Sequence, residues 1–219
     1  MNTIALLGAE GNMGKRYTCI LNCLGKKVIP IDLETPPDVR KKALSTSDGV
    51  IVSTPTDQHL KDMNEVMDLN PSRPIPMLCE KPLSKDIQAL NQTITRLKSF
   101  YQGNPGYFAM VFQYLYAYQG SPVQLTEYNY YHSGSDGLYW DCIQLIGLAT
   151  GGILLSNQSP IWRCNLNGVK IDRASLDGFY IQMIQDWLKG THGFISDDLD
   201  QLYQLHQKVI SLMPGAGNG

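Results

Sequence analysis

The chain has 219 residues, 43% of them hydrophobic and 17% charged, with a formal net charge of -2. That length supports one large domain or two modest ones, each with its own core. A near-neutral balance without blocks of like charge argues against nucleic acid and against an anionic membrane surface, and no apolar stretch approaches the ~20 residues that span a bilayer. The N-terminus, "MNTIALLGAEG", is an apolar strand ending in glycines rather than a leader, so a cytoplasmic protein is expected. Cys19, Cys23, Cys79, Cys142 and Cys164 are odd in number and scattered, which argues against a disulfide framework. Cys19 and Cys23 are four apart in a helical pattern, half a metal site without a second ligand pair. All five read as buried thiols, and no metal is expected.

The first half alternates strand and helix signals. "TIALLG" (3–8) is an apolar run stopped by glycine, and Met13, Tyr17, Ile20 and Leu24 then recur at helical spacing up to a terminating Gly25. "VIPI" (28–31) is a second strand, whose Pro30 needs a place where one ladder bond is dispensable. "GVIVSTP" (49–55) is a third, followed from about Asp57 by a helix carrying Leu60, Met63 and Met67 on one face. "PMLCE" (76–80) is a fourth, with Ser84 as the expected N-cap of a helix bearing Ile87, Leu90, Ile94 and Leu97. Strand–helix repetition with short connections predicts a parallel sheet that meets ligands at the carboxyl ends of its strands.

The pattern changes at "QGNPG" (102–106), which reads as a boundary between a first domain, 1–104, and a second, 105–219. "YFAMVFQY" and "VQLTEYNYY" read as longer alternating strands, and "IWRCNLNGVKI" as a hairpin about Asn167-Gly168. "YWDCIQLIGLATG", "RASLDGFYIQMIQDWLKG" and "DDLDQLYQLHQKVISLM" read as helices. The predicted class is α/β: a Rossmann parallel-sheet domain followed by a small α+β domain with a mostly antiparallel sheet.

"GAEGNMG" places Gly8, Gly11 and Gly14 between the first strand and the first helix. A pyrophosphate must come within hydrogen-bonding distance of backbone N–H groups at a helix N-terminus, and a Cβ there would block it. The spacing is G-x-x-G-x-x-G; counted back from Gly14, the first position of the stricter G-x-G-x-x-G pattern falls on Ala9. The candidate phosphate-binding residues are therefore Gly8, Ala9, Gly11, Asn12, Met13 and Gly14. Asp32, ending the second strand, is placed to hydrogen-bond ribose hydroxyls, favouring NAD. NADP is the alternative, because Arg40, Lys41 and Lys42 lie nearby.

With "TPTDQH" (54–59) after the third strand and "CEKPLS" (79–84) after the fourth, the chain resembles the Gfo/Idh/MocA (glucose–fructose oxidoreductase, inositol dehydrogenase) family over nearly its whole length. The resemblance implies a compact member with a shortened C-terminal domain. It implies that Lys81 of the EKP motif projects beside the nicotinamide, that Pro82 takes a cis bond, and that Thr54 and Pro55 wall the cofactor. A lysine in a cleft near a cationic nicotinamide is desolvated and repelled, and both effects favour proton acceptance from a substrate hydroxyl. Glu80 points the opposite way on an extended strand and reads as structural. His59 reads as a packing or capping residue. Both are grouped with the residues that frame the cofactor.

Family members acting on sugars or cyclitols carry a D-x-G-x-H-x-x-D arrangement in the second domain. Here the stretch is "HSGSDGLYWDCIQLIG" (132–147); aligning Asp141 with the last aspartate puts Leu138 at the histidine and Gly134 at the first aspartate. Asp136, Tyr139 and His132 are the candidate replacements, the first two as catalytic partners of Lys81. The expected activity is NAD(P)-dependent oxidation of a secondary alcohol, or the reverse, on a sugar- or cyclitol-like small molecule. The alternatives are a nucleotide-binding regulatory or scaffolding relative without catalysis, and a reductase of unsaturated or cyclic substrates, since the glycine loop also resembles that of dihydrodipicolinate reductase. The aromatic runs "FQYLYAY" and "EYNYYH" point to a homodimer or homotetramer through the C-terminal sheet.

Overall fold

The computed structural model describes residues 1–102, 107–117, 123–129, 135–156, 158, 161, 163–190 and 198–213. The chain divides into two compact units, Met1–Val111 with Ile184–Tyr203, and Phe112–Met183 with Gln204–Gly219.

The first unit runs β1 (Thr3–Leu7), α1 (Asn12–Cys23), β2 (Lys27–Ile31), α2 (Pro37–Thr46), β3 (Gly49–Val52), α3 (Thr56–Leu69), β4 (Met77–Cys79), α4 (Ile87–Phe100) and β5 (Phe108–Met110). The five strands form one parallel sheet in the order β2-β1-β3-β4-β5. β3, β4 and β5 are buried at every residue, because strands covered on both faces need continuous apolar runs rather than alternation. β2 is an edge strand, which is why Pro30 is tolerated opposite Leu6. Residues 108–110, which the sequence pattern assigns to the second domain, pair in register with Met77–Cys79 of β4. Their unbroken apolar run suits a strand sandwiched in a parallel sheet, so the first unit extends to Val111.

Two further local readings change. Helix α2 gives little signal in the sequence because it buries only Ala43 and Leu44. The cap of α4 is Asp86 rather than Ser84: the Asp86 carboxylate accepts from Gln88 N and Ala89 N at 2.9 and 3.0 Å, while Ser84 Oγ accepts from Asp86 N at 3.0 Å. A carboxylate reaching two orphan N–H groups caps better than a hydroxyl held too early in the chain.

The second unit contains a 3₁₀ turn (Gln113–Ala117), β6 (Val123–Asn129), α5 (Ser135–Asp141), α6 (Ile143–Leu148), β7 (Ala149–Ser156), β8 (Arg163–Leu166) and β9 (Val169–Ile171). Helices α7 (Arg173–Lys189) and α8 (Leu199–Leu212) contribute to both units. The sheet order is β7-β6-β8-β9, antiparallel at β6–β8 and β8–β9 and parallel at β6–β7. Asn167 and Gly168 have φ of 49° and 81°, the two positive values that a tight hairpin turn between β8 and β9 requires. β7 follows α6 directly where the sequence pattern continues the helix, since "GLATGGILLS" carries no polar break between them.

Cys79, Cys142 and Cys164 are buried, but Cys19 and Cys23 are exposed on α1, contrary to the expectation for all five. The face of α1 that meets the sheet is Gly14, Tyr17, Ile20 and Leu21, and positions 19 and 23 fall off it. Burial raises the Cys79 thiol well above its ordinary value and pushes Cys164 up to about 12, so both act as packing thiols. Among the described residues no group of three or more His, Cys, Asp or Glu is placed to hold a metal, and no helix is long and apolar enough to cross a membrane.

Candidate functional site

β1 lies between β2 and β3, so the chain leaves β1 towards one neighbour and later returns on the other side. Crevices at the carboxyl ends of strands form where the order reverses in this way, and that is where open α/β sheets meet their ligands. The glycine loop occupies this point. Gly8 has φ +76°, donates its N–H to Ile31 O of β2 at 2.9 Å, and packs so closely on the exit of β3 that a Cβ would lie 2.6 Å from Ser53 O. At Gly14 a Cβ would lie 2.1 Å from Gly8 O and 2.6 Å from Ala9 O, so this glycine lets α1 sit directly on the loop.

Gly11 is the N-cap of α1 in extended conformation, with no side chain capping the helix and no acidic residue in its first turn. The N-terminal N–H groups of a helix, here those of Asn12, Met13 and Gly14, have no intrahelical acceptor. They and the helix dipole make an anion-binding position. Asp32 follows β2 and accepts from Glu10 N through Oδ2 at 2.6 Å, tying its carboxylate to the loop. Arg40, the cation nearest in sequence that would suit a 2′-phosphate, is held elsewhere. Its Nε and Nη2 donate to Glu65 (2.6–3.1 Å) and its Nη2 also to Asp62 at 2.7 Å. Lys41 and Lys42 are exposed.

The exits of β3 and β4 carry the two other motifs. Pro55 is the N-cap of α3, and Thr54 Oγ1 donates to the buried Asp62 at 2.6 Å. His59 is 1% exposed, with Nε2 2.7 Å from Thr54 O and Nδ1 2.8 Å from Pro82 O. Glu80 is also buried: it accepts from Tyr17 of α1 through Oε1 and from Lys81 N at 3.1 Å through Oε2. His59 and Glu80, grouped from sequence with the cofactor residues, thus direct their polar atoms at the protein and frame the loop. Lys81 is half-buried at the end of β4, and the Lys81–Pro82 bond is cis. A cavity of about 700 Å³ between the starts of α3 and α4, lined by Thr56, Asp57, Lys61, Ser84, Lys85 and Asp86 among others, includes none of the predicted site residues.

In the second unit, Tyr139 is half-buried on α5, with Leu138 and Trp140 buried on either side. The side chain of Asp136, and His132 and Gly134 altogether, lie outside the described residues. A pair that sequence reasoning missed lies close by in the chain: buried Tyr128 of β6 donates its hydroxyl to Asp141 Oδ2 of α5. Burial first, then the Asp141 charge, pushes the Tyr128 phenol far up, so it donates and does not ionise. The period-two alternation of β6 would have put Tyr128 inside, but no local pattern names a partner 13 residues on.

These elements define an α/β protein with a dinucleotide-binding type of parallel sheet and a second α+β unit. No protein-family model and no curated protein sequence matches the chain. Solved structures do. The WlbA (WbpB) dehydrogenase from Thermus thermophilus, in complex with NAD and UDP-GlcNAcA, is 14% identical with a TM-score of 0.66, over 95% of this chain and 94% of that one. A Gfo/Idh/MocA family oxidoreductase from Vibrio cholerae is 13% identical, TM-score 0.62, over 94% and 95%. A myo-inositol dehydrogenase from Corynebacterium glutamicum is 12% identical, TM-score 0.61, over 95% and 94%. The chain therefore has the fold of the Gfo/Idh/MocA oxidoreductases.

Proposed function

We propose that the chain is a Gfo/Idh/MocA oxidoreductase that binds NAD in its first unit and acts on a secondary alcohol, or the matching carbonyl, of a sugar- or cyclitol-like molecule. The observation that carries this reading is the uncapped N-terminus of α1 at the switch point of the sheet, with Lys81 just beyond β4, two strands from β1. The residues fit the cofactor: the N–H groups of Asn12, Met13 and Gly14 would hold the pyrophosphate, Asp32 the ribose hydroxyls, and Thr54 and Pro55 the nicotinamide end. Bound NAD supplies a hydride acceptor, or NADH a donor. Lys81 takes the proton of the substrate hydroxyl, or returns it, at Nζ. The polyol substrate class follows the neighbours, one solved with a nucleotide sugar and one named for inositol. The test is a screen of UDP-sugars, cyclitols and small diols for reduction of NAD⁺. Turnover of one supports the reading. NAD⁺ binding without any turnover favours the regulatory alternative, to which the buried Leu138 at the expected histidine position already points.

NAD⁺ should bind about tenfold more tightly than NADP⁺, the order of one like-charge contact near a protein surface. The Asp32 carboxylate repels a 2′-phosphate, and Arg40 is held by Glu65 and Asp62. Calorimetry with both cofactors decides it, and tighter NADP⁺ binding would overturn the role given to Asp32.

We further propose self-association through the sheet β6–β9. Residues 108–110 belong to the other sheet, so the face is narrower than the sequence implied. Leu154 and Val169, 59% and 64% exposed, lie on its two edge strands. Light scattering should give a multiple of 24.4 kDa, and a monomer at micromolar concentration rejects the interface.

A further inference from the structure

His59 belongs to α3, yet its two ring nitrogens bond to two different loops. Pro82 O, 2.8 Å from Nδ1, lies on the loop leaving β4, and Thr54 O, 2.7 Å from Nε2, lies on the loop leaving β3. A carbonyl oxygen only accepts, so each contact requires its ring nitrogen to carry the proton; a neutral ring satisfies one and the imidazolium both. The ring is 1% exposed, so no water competes at either nitrogen.

Lys81 is the residue immediately before the Pro82 anchor. On its N-terminal side its own N–H is held by Glu80 Oε2 at 3.1 Å, and Glu80 is in turn fixed by the Tyr17 hydroxyl. On its C-terminal side the next residue is a proline, which has no N–H to donate. The Pro82 carbonyl can accept, and His59 binds it. The backbone of Lys81 is thus gripped before and after, from α1 and from α3. A lysine stem has four rotatable bonds, so fixing its Cα is the protein's means of limiting where the amine reaches.

We propose that His59 is a positioning residue, joining the loops after β3 and β4 so that the Lys81 amine is presented at a fixed place. The inference deepens the proposed oxidoreductase reading and rests on it for the purpose of Lys81, but it is tested without a substrate. Reductive ¹³C-methylation keeps lysine charge and gives each amine its own resonance; that of Lys81 is identified by its loss in Lys81→Arg. In His59→Leu, which removes both ring nitrogens, the Lys81 resonance should move by more than its line width towards the exposed lysines. In His59→Gln, which keeps one donor group, it should move less. The resonances of Lys15 and Lys98 should stay in place. A merely structural histidine lowers the melting temperature and leaves the folded-state Lys81 resonance unchanged, and that result in both variants overturns the inference. Should His59→Leu fail to fold, His59→Gln alone decides: a moved resonance supports the clamp and an unmoved one rejects it. Calorimetry with NAD⁺ on the unmodified wild type tests the oxidoreductase reading separately, since absent binding defeats that reading and does not alter what the Lys81 resonance says about the clamp.

Discussion

Gly14→Ala should destabilise the first unit by about 3 kcal/mol or more, while Gly11→Ala leaves stability within ~1 kcal/mol and weakens NAD⁺ binding instead. The two glycines differ in what surrounds them. A Cβ on Gly14 would stand 2.1 Å from Gly8 O and 2.6 Å from Ala9 O. Both obstacles are main chain, so α1 must lift from the loop as a body. Overpacking a well-packed site typically costs ~1–3 kcal/mol, and an immovable neighbour puts this case at the upper end. At Gly11 the nearest atom to a Cβ is Gly8 O at 3.3 Å and φ is -68°, which any residue adopts. Alanine there fits the fold, and reducing the freedom of the unfolded chain offsets part of the strain. What the methyl group does meet is an anion approaching the start of α1, so affinity for NAD⁺ should fall at least about tenfold, with valine worse than alanine. Urea unfolding gives the first comparison: the Gly14→Ala midpoint should drop without a change in slope. Gly14→Ala at wild-type stability, or Gly11→Ala at wild-type affinity, would separate the glycine loop from the role given to it.

The parts of the fold that are legible in the sequence are those whose physics is local. β1, β3 and β4 are apolar runs ended by glycine, by Ser-Thr-Pro and by a charged motif respectively, and α1 repeats its buried face at helical spacing up to Gly25, whose φ of +68° closes the helix. The Asn167-Gly168 turn names itself, since few other pairs accept two positive φ values. What is not legible depends on neighbours. β5 is three residues long, and only its pairing with Met77–Cys79 gives it to the first sheet. α2 buries two residues, too few to set a period.

The site divides in the same way. The position of the glycine loop can be read because a close backbone approach at Gly8 and Gly14 demands glycine at a fixed place in a strand–loop–helix unit. The Tyr17–Glu80 bond cannot, because it joins residues 63 apart on surfaces that meet only when α1 packs on the sheet. His59 reads as a packing residue for the same reason: its partners are main-chain oxygens, which leave no signature in sequence. The pairing of Arg40 with Asp62 and Glu65 is of this kind too, and it occupies one of the three cations that speak for NADP.

Lys81→Ala should lower turnover of whichever polyol the screen returns by about 10²–10⁴-fold, the usual cost of removing a positioned acid–base group, with NAD⁺ affinity changed less than about threefold. The reasoning is positional. Lys81 lies two residues beyond β4, which is next to β3 in the sheet, and its backbone is fixed through Glu80 on one side and Pro82 on the other. The phosphate and ribose contacts assigned to the cofactor come from the loop after β1 and from Asp32, so losing the amine leaves them in place. Lys81→Arg should not restore activity, because a guanidinium stays protonated and cannot accept the hydroxyl proton, and its planar fork does not occupy the space of an ammonium. Tyr139→Phe then tests whether a second group shares the proton. A loss of similar size there would make the half-buried tyrosine of α5 the partner that the absent histidine leaves unfilled, while an unchanged rate would leave Lys81 as the proton carrier. Wild-type turnover by Lys81→Ala would end the mechanism. A hydroxyl proton must go to some base before or as the hydride leaves, and the end of β4 would not be where it goes.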